Sequence, residues 1–438
     1  MVPRLTVTPA DALIDVPRHL KAEGFLPGAE AILSASTRRG ERVWKSAARF
    51  VIAADGSVDP SALAPLEGSD YTGLSPMGLI WSQRPEGEGE ALLLPADLRE
   101  GLRTEVVAES GAVRIPATFF QRFLAPGVVR RAVREDGLVG TLFLPPGTGP
   151  HPAVMLLNGS NGGTNEPRAA LLAAHGYAAF TLAYFGLPGL PRYISRAPLE
   201  YFRDGLTWLR RNIQPRDGFV AVMGQSRGGE LALLLGATFP EAVSAVLAYV
   251  PGAVVHSGQN AADPAVGRNG PTWLLNGRPL PHLWEGNRTA TWAPFDEGPA
   301  PHRHEWAILT ALADPEAVAR ARIPVERIRG PVLLISGTDD GCWPSSFYCR
   351  MVRDSMAKAA HPHEVLWYDF AEAGHAIREP YQPTTAIVWT HPVSGRVSTG
   401  GGTPAANARA SEHAWKATLE FLGRASAVDG PKGPRVSP

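Results

Sequence analysis

From residue 153 onward, short apolar runs alternate with stretches of helical character, and that rhythm leaves few folds open to the chain. The runs are AVMLL (153–157), AAFTLA (178–183), FVAVM (219–223), VSAVLAYV (243–250) and PVLLIS (331–336). They are apolar along their length instead of alternating, as strands covered on both faces must be. Between them the helix signals are local. Asn165 can cap a helix that has Pro167 near its start and Gly176 at its end, and further helices are predicted around Leu199–Arg211 and over Arg227–Thr238. Alternation of this kind predicts a parallel sheet with helices on both faces.

Upstream the pattern differs. From Leu5 to about Phe123 the segments RLTVTP, AEAILSAST, WKSAARFVI, GLIWSQ, EALLLPA, TEVVAES and GAVRIPATFFQRF are short and β-rich, with Gly, Pro and Asp turns between them. Such spacing predicts a small sandwich of two antiparallel sheets. The expected division of the 438 residues is a β-sandwich over 1–130, an α/β domain over 131–425 and a loose tail over 426–438. Residues 251–328 are rich in Gly, Pro, Asn, Trp and His and are too long for an ordinary connection, so they are expected to form a cap-like insertion. A last helix should begin at Thr403-Pro404 and dock through Trp415, Thr418, Leu419 and Leu422.

With 42 basic and 42 acidic side chains the chain has no net charge to attract nucleic acid or a membrane surface, so a small-molecule partner is expected. No membrane span is expected either, and the sequence leaves the oligomeric state open. Two cysteines, Cys342 and Cys349, are too few for a disulfide scaffold, and they read as packing residues. Without a secretory pattern at the start, a cytoplasmic location is expected.

The chemistry is expected at Gly224-Gln225-Ser226-Arg227-Gly228-Gly229, where a serine stands between the run FVAVM and the helical ELALLLGA. A strand–turn–helix with flanking glycines projects the hydroxyl above a sheet edge, as in the nucleophile elbow of the α/β-hydrolases. A serine hydroxyl needs a base, and the base needs an acid, in the chain order Ser, acid, His. His375 follows the strand EVLWYDF on a glycine-bearing loop and is the expected base. His361 and His363 precede that strand, while His391 and His413 come too late. Gly337-Thr338-Asp339-Asp340-Gly341 follows PVLLIS and offers two carboxylates, either of which could reach the imidazole, with Asp369 a weaker third. An oxyanion would rest on the Arg227 amide and on a second amide from the loop Asn158-Gly159-Ser160-Asn161-Gly162-Gly163, with Ser160 preferred to Asn161. That loop lacks the Lys-Ser/Thr of a phosphate-binding loop, and no cofactor is expected. Nor is a metal, because His282, His302, His304 and Glu305 lack a metal-ligand spacing.

Beyond these local readings, the chain resembles the family of acyl-CoA thioesterases and bile-acid-CoA:amino-acid N-acyltransferases from end to end. The resemblance is carried by DYTGLSPMGLIW (70–81), VGTLFLPP (139–146), RAALLA (168–173), Gly224 to Glu230, and Ala373-Gly374-His375 with Glu379-Pro380-Tyr381. It implies an immunoglobulin-like amino-terminal domain, a Ser or Cys nucleophile and an acyl-CoA substrate. The family's Gly-x-x-Asp pattern implies Asp340 as the triad acid. The thioesterases of the family resemble this chain in carrying serine, whereas the transferases mostly carry cysteine. An acyl-serine is an ordinary ester that activated water can clear, while an acyl-cysteine stays reactive toward amines, so serine leans the expectation toward hydrolysis. The family's usual lysine after the nucleophile is Arg227 here, and 251–328 matches least well. The rival expectations are acyl transfer to an amine or alcohol, a carboxylesterase or peptidase that does not use CoA, and a binding protein with an inert triad.

Overall fold

The structure, a computed structural model, describes residues 2–87, 94–95, 97–390 and 395–427. The amino-terminal elements are β1 (Arg4–Thr8), β2 (Asp11–Leu13), β3 (His19–Glu23), β4 (Glu30–Arg39), β5 (Arg42–Val51), α1 (Gly78–Trp81), β6 (Arg84–Pro85), β7 (Leu102–Ser110) and β8 (Val113–Arg122). Six of the strands form one sheet in the order β2-β8-β7-β4-β5-β6, with β2 parallel to β8 and the other pairs antiparallel; β1 and β3 form a separate antiparallel ribbon. Alternate residues of β4 and β5, among them Ala31, Leu33, Ala35, Ala48 and Phe50, turn onto one face, where Leu20 and Ala22 of the ribbon meet them.

One expected strand is a helix. GLIWSQ contributes α1, because Leu79 and Ile80 are adjacent yet both buried in the same core, and a strand would send them to opposite faces. The expected strand EALLLPA (90–96) falls largely outside the described residues.

The larger sheet starts with β9 (Val129–Val133), β10 (Val139–Leu144) and β11 (Ala153–Leu157). It continues through α2 (Glu166–Ala174), β12 (Ala178–Ala183), β13 (Ala197–Pro198), α3 (Leu199–Ile213), β14 (Val220–Gln225), α4 (Arg227–Thr238) and β15 (Ala245–Tyr249). An irregular stretch follows with β16 (Trp273–Leu275), β17 (Arg278–Pro279), α5 (Ala293–Asp296), α6 (Glu305–Leu312) and α7 (Pro315–Ala321). The chain ends with β18 (Val332–Gly337), α8 (Ser345–Lys358), β19 (Val365–Phe370), the hairpin β20 (Val388–Thr390) and β21 (Val397–Thr399), and α9 (Pro404–Ala425).

Eight strands run in the order β19-β18-β15-β14-β11-β12-β10-β9, parallel from β19 to β12 and antiparallel at β10 and β9. Burial on both faces is visible residue by residue. Met155, Val222, Val246 and Leu334 join one apolar cluster with α3, α4 and α8, while their neighbours Val154, Ala221, Leu247 and Ile335 join another with α2 and α9. The expected caps are present: the Asn165 side chain accepts from the Arg168 amide, and the Thr403 hydroxyl oxygen accepts from the Ala406 amide. Residues 251–328 are not a loose excursion, since Trp273, Leu283, Trp292, Phe295 and Ile308 belong to the first of these clusters. Among the described residues no helix is long and apolar enough to cross a membrane.

The amino-terminal sheets are bonded into this body. The Asp15 carboxylate receives the Trp415 indole N–H at 2.8 Å and lies 2.5 Å from His175 Nε2, and Gln121 donates to the Tyr381 carbonyl at 3.0 Å. Ile14, Leu102 and Phe123 join the same apolar cluster as α2 and α9.

The connections out of β11 and β14 leave in opposite directions. After β11 the chain passes through α2 to β12 on one side, and after β14 through α4 to β15 on the other. In an open α/β sheet the crevice beyond the carboxyl ends of two such strands is where ligands bind.

Candidate active site

Ser226 stands at that crevice, at the carboxyl end of β14. Its backbone is held at φ 60° and ψ −123°, a region that a non-glycine residue occupies at a cost of about 1–3 kcal/mol. The turn is tied down on both sides: the Ser226 amide donates to the Tyr249 carbonyl at 2.9 Å, and its own carbonyl accepts from the amides of Gly229 and Glu230 at 2.9 and 3.0 Å. Two glycines are obligatory by contact. A Cβ on Gly224 would lie 1.9 Å from the Gly228 carbonyl oxygen, and one on Gly228 would lie 2.2 Å from that of Leu157. Gly228→Ala should therefore push α4 away from the end of β11, destabilising the fold by about 1–3 kcal/mol and lowering turnover on the order of a hundredfold. Thermal melting and an activity assay on the same preparation check both effects.

The loop after β11 closes over the serine. Asn158 Nδ2 donates to the Gly162 carbonyl at 2.6 Å, and the Tyr184 hydroxyl donates to the Asn158 carbonyl at 2.8 Å. Gly159 comes close to it: a Cβ there would lie 3.1 Å from Ser226 Cβ and 3.6 Å from its Oγ. The contact falls one residue before the expected Ser160, and the glycine itself is its signal in the sequence. Arg227 opens α4, and the first amides of a helix have no partner within it, so its N–H is directed out of the helix end beside Ser226.

On the next strands the two expected carboxylates part ways. Asp340 is buried, and its Oδ1 and Oδ2 lie 2.9 and 2.8 Å from His375 Nδ1. Oδ1 also accepts from the Cys342 amide at 2.9 Å and the Trp343 amide at 3.3 Å, so the carboxylate is held from its own turn as well. Asp339 faces away, paired with Arg303 at 2.9 Å and accepting from the Gly402 amide at 2.8 Å. Asp369 accepts from the hydroxyls of Ser336 and Ser346 and makes no bond to His375. The His375 amide donates to the Gly400 carbonyl at 2.8 Å, and Gln225 Nε2 donates to the His375 carbonyl at 3.3 Å. The residue before the serine thus holds the loop that carries the imidazole.

The remaining histidines lie elsewhere. His361 Nε2 contacts the Gly330 carbonyl and has His363 beside it, and His413 bonds one turn back along α9; His391 lies outside the described residues. Within the irregular stretch, His304 Nδ1 contacts the Cys342 carbonyl and His282 is buried, and among the described residues neither belongs to a group of three potential ligands. Asp340, Cys342 and His375 do form such a group. Burial, and then the nearby Asp340, push the Cys342 thiol well above the usual range, and the other two side chains already bond each other. Both cysteines are free thiols.

A buried ion pair that the sequence did not announce supports the histidine loop from below. Arg168 Nε bonds Glu379 Oε1 at 2.7 Å, with the guanidinium 4.8 Å from the centroid of the Tyr249 ring, whose carbonyl receives the Ser226 amide. The strings RAALLA and EPY, far apart in the chain, thereby meet under the site.

A strand–turn–helix serine at the switch point of a mostly parallel sheet, with a bonded Asp–His pair on the loops after β18 and β19, defines the chain as an α/β-hydrolase. It belongs to the acyl-CoA thioester hydrolase/BAAT family. Residues 15–135 match the family description "Acyl-CoA thioester hydrolase/BAAT N-terminal region", and residues 197–427 match "BAAT / Acyl-CoA thioester hydrolase C terminal". Similar proteins include mouse acyl-coenzyme A thioesterase 3, 31% identical over 96% of this chain and 94% of that protein. Human acyl-coenzyme A thioesterase 1 is 30% identical over 93% of each chain, and mouse acyl-coenzyme A amino acid N-acyltransferase 2 is 29% identical over 96% of this chain and 97% of that one.

Proposed function

We propose that the protein hydrolyses acyl-CoA thioesters through an acyl-serine intermediate on Ser226. Asp340 holds the His375 ring by Nδ1, which leaves Nε2 to take the Ser226 proton as the hydroxyl attacks the thioester carbonyl. The negative charge then rests on the Arg227 amide and on an amide of the 158–163 loop, for which Ser160 is the choice. His375 returns the proton to the departing CoA thiolate, and water attacks the ester in the second half with the same base. The observation that supports the reading is the bonded Asp340–His375 pair, on a loop held by Gln225 next to the elbow serine, in a chain of this family.

Serine favours water as acceptor because its acyl ester is less reactive toward amines than a thioester. We assign the β-sandwich to residues 1–130, immunoglobulin-like in kind, and the catalytic domain to 131–425, with 251–328 as its cap. We also place the protein in the cytoplasm, a reading supported by the scarcity of cysteine, with only Cys342 and Cys349 in 438 residues.

The test is to follow free thiol from saturated acyl-CoAs of several chain lengths, with and without an added amine such as glycine or taurine. Thiol and free acid should appear in equal amounts without an amine. Product that forms only with amine would replace hydrolysis by transfer, and absence of thiol release across the panel would overturn the proposal.

A further inference from the structure

The elbow is braced on its far side by a wholly buried polar cluster. Glu230, in the first turn of α4, has no exposed surface, and its carboxylate collects three side-chain donors: Arg227 Nη1 at 3.0 Å, His256 Nδ1 at 2.8 Å and Trp273 Nε1 at 2.8 Å. The guanidinium of Arg227 reaches past it to the Ser257 carbonyl at 2.9 Å. His256, Ser257 and Trp273 all come from the irregular stretch after β15, so the stretch that matched the family least well is joined to the residue following the nucleophile.

From this cluster a packed path leads back to the base. The Arg227 guanidinium lies 5.6 Å from the centroid of the Trp343 ring, His256 stacks on the same ring at 4.8 Å, and the ring meets His375 edge-on at 5.9 Å. Trp343 is fixed in turn by its indole N–H, which donates to the Val250 carbonyl at 2.8 Å. One carboxylate thus bonds both Arg227, whose amide is the proposed oxyanion donor, and His256, which stacks on the indole that borders the imidazole. Burial tends to raise the Glu230 carboxyl, but Arg227 and the bonds from His256 and Trp273 together hold it below the usual range, as an anion. Burial lowers His256, against the pull of Glu230, and its Nδ1 and Nε2 lie 2.8 Å from the Glu230 carboxylate and the Tyr348 hydroxyl, respectively.

We infer that Glu230 is a positioning residue for the reaction at Ser226, holding the Arg227 amide and the Trp343 face of the imidazole in register through the buried Arg227–Glu230–His256 cluster. This rests on the function proposed above. A small displacement of an oxyanion donor costs rate without costing substrate affinity, because the charge it meets exists only in the transition state.

The experiment compares Glu230→Gln, Trp273→Phe, Arg227→Lys and Arg227→Met in the full chain with wild type. A fluorophosphonate titrates Ser226 so that kcat is expressed per reactive site. For Glu230→Gln, kcat per site should fall on the order of a hundredfold with KM within about twofold, and fluorophosphonate labelling should slow in parallel. Trp273→Phe, which removes one donor without stranding a charge, should lose about three- to tenfold and serves if the first variant does not accumulate. Arg227→Lys, which keeps the cation, should lose less than Arg227→Met. Fewer titratable sites with normal kcat per site in Glu230→Gln and Trp273→Phe would reduce the cluster to a structural role and overturn the inference. If Ser226→Ala leaves thiol release intact, it is the proposed function that falls, and the two failures are thereby distinct.

Discussion

Ser226→Ala is expected to lower kcat for thioester hydrolysis by about 10⁴–10⁶-fold while the protein keeps its melting temperature within a few degrees. In the proposed mechanism the hydroxyl accepts the acyl chain, and the variant leaves intact the bonds that hold the turn: the Ser226 amide to Tyr249 and the Ser226 carbonyl to Gly229 and Glu230 all belong to the backbone. Alanine would occupy the same φ of 60°, so the backbone strain is little changed. Substrate affinity should survive as well, because the loop at 158–163 is held by Asn158 and Tyr184 and not by the serine. Mass spectrometry adds an independent reading, since a slowly cleared acyl-CoA should leave its acyl group on a peptide containing residue 226 in wild type and on none in the variant. Turnover within tenfold of wild type would remove Ser226 from the chemistry.

The second large effect is a contrast between neighbours. Asp340→Asn should reduce kcat on the order of 10³–10⁴-fold, because an amide at that position can present a donor to His375 Nδ1 and so favour the tautomer whose Nε2 carries the proton. The carbonyl oxygen of asparagine can still receive the Cys342 and Trp343 amides, so the turn itself should persist. Asp339→Asn removes only a partly exposed pair with Arg303 and should stay within about threefold of wild type. The pH dependence of kcat for each variant against a short-chain substrate separates the two. Equal losses at both positions would place the acid elsewhere.

How far these positions could be read in advance follows from what each depends on. The strands of the large sheet were legible because burial on both faces demands uninterrupted apolar runs, and the caps at Asn165 and Thr403 because a helix start has few alternatives. GLIWSQ misled because a short apolar string carries no period of its own, and only the shared core of Leu79 and Ile80 makes it a turn of helix. Asp339 and Asp340 stand one apart on the same loop, so the residues alone left the choice open and only the family resemblance pointed to Asp340, which bonds an imidazole contributed 35 residues later. The Glu230 cluster was hidden for a different reason. A glutamate in the first turn of a helix is satisfied, on paper, by the helix itself, and its true partners lie in the least regular part of the chain.

The aspartate that joins the two parts of the molecule has a consequence for how such a chain can be rearranged. Asp15 satisfies an indole from the last helix and meets an imidazole from the end of the first βα crossover, so a foreign module in place of the amino-terminal sheets would strand the Trp415 N–H and uncover Ile14's apolar neighbours. The two halves are not beads on a string. They share one packed base, in which the front of the chain supplies part of the ground on which the back of it stands.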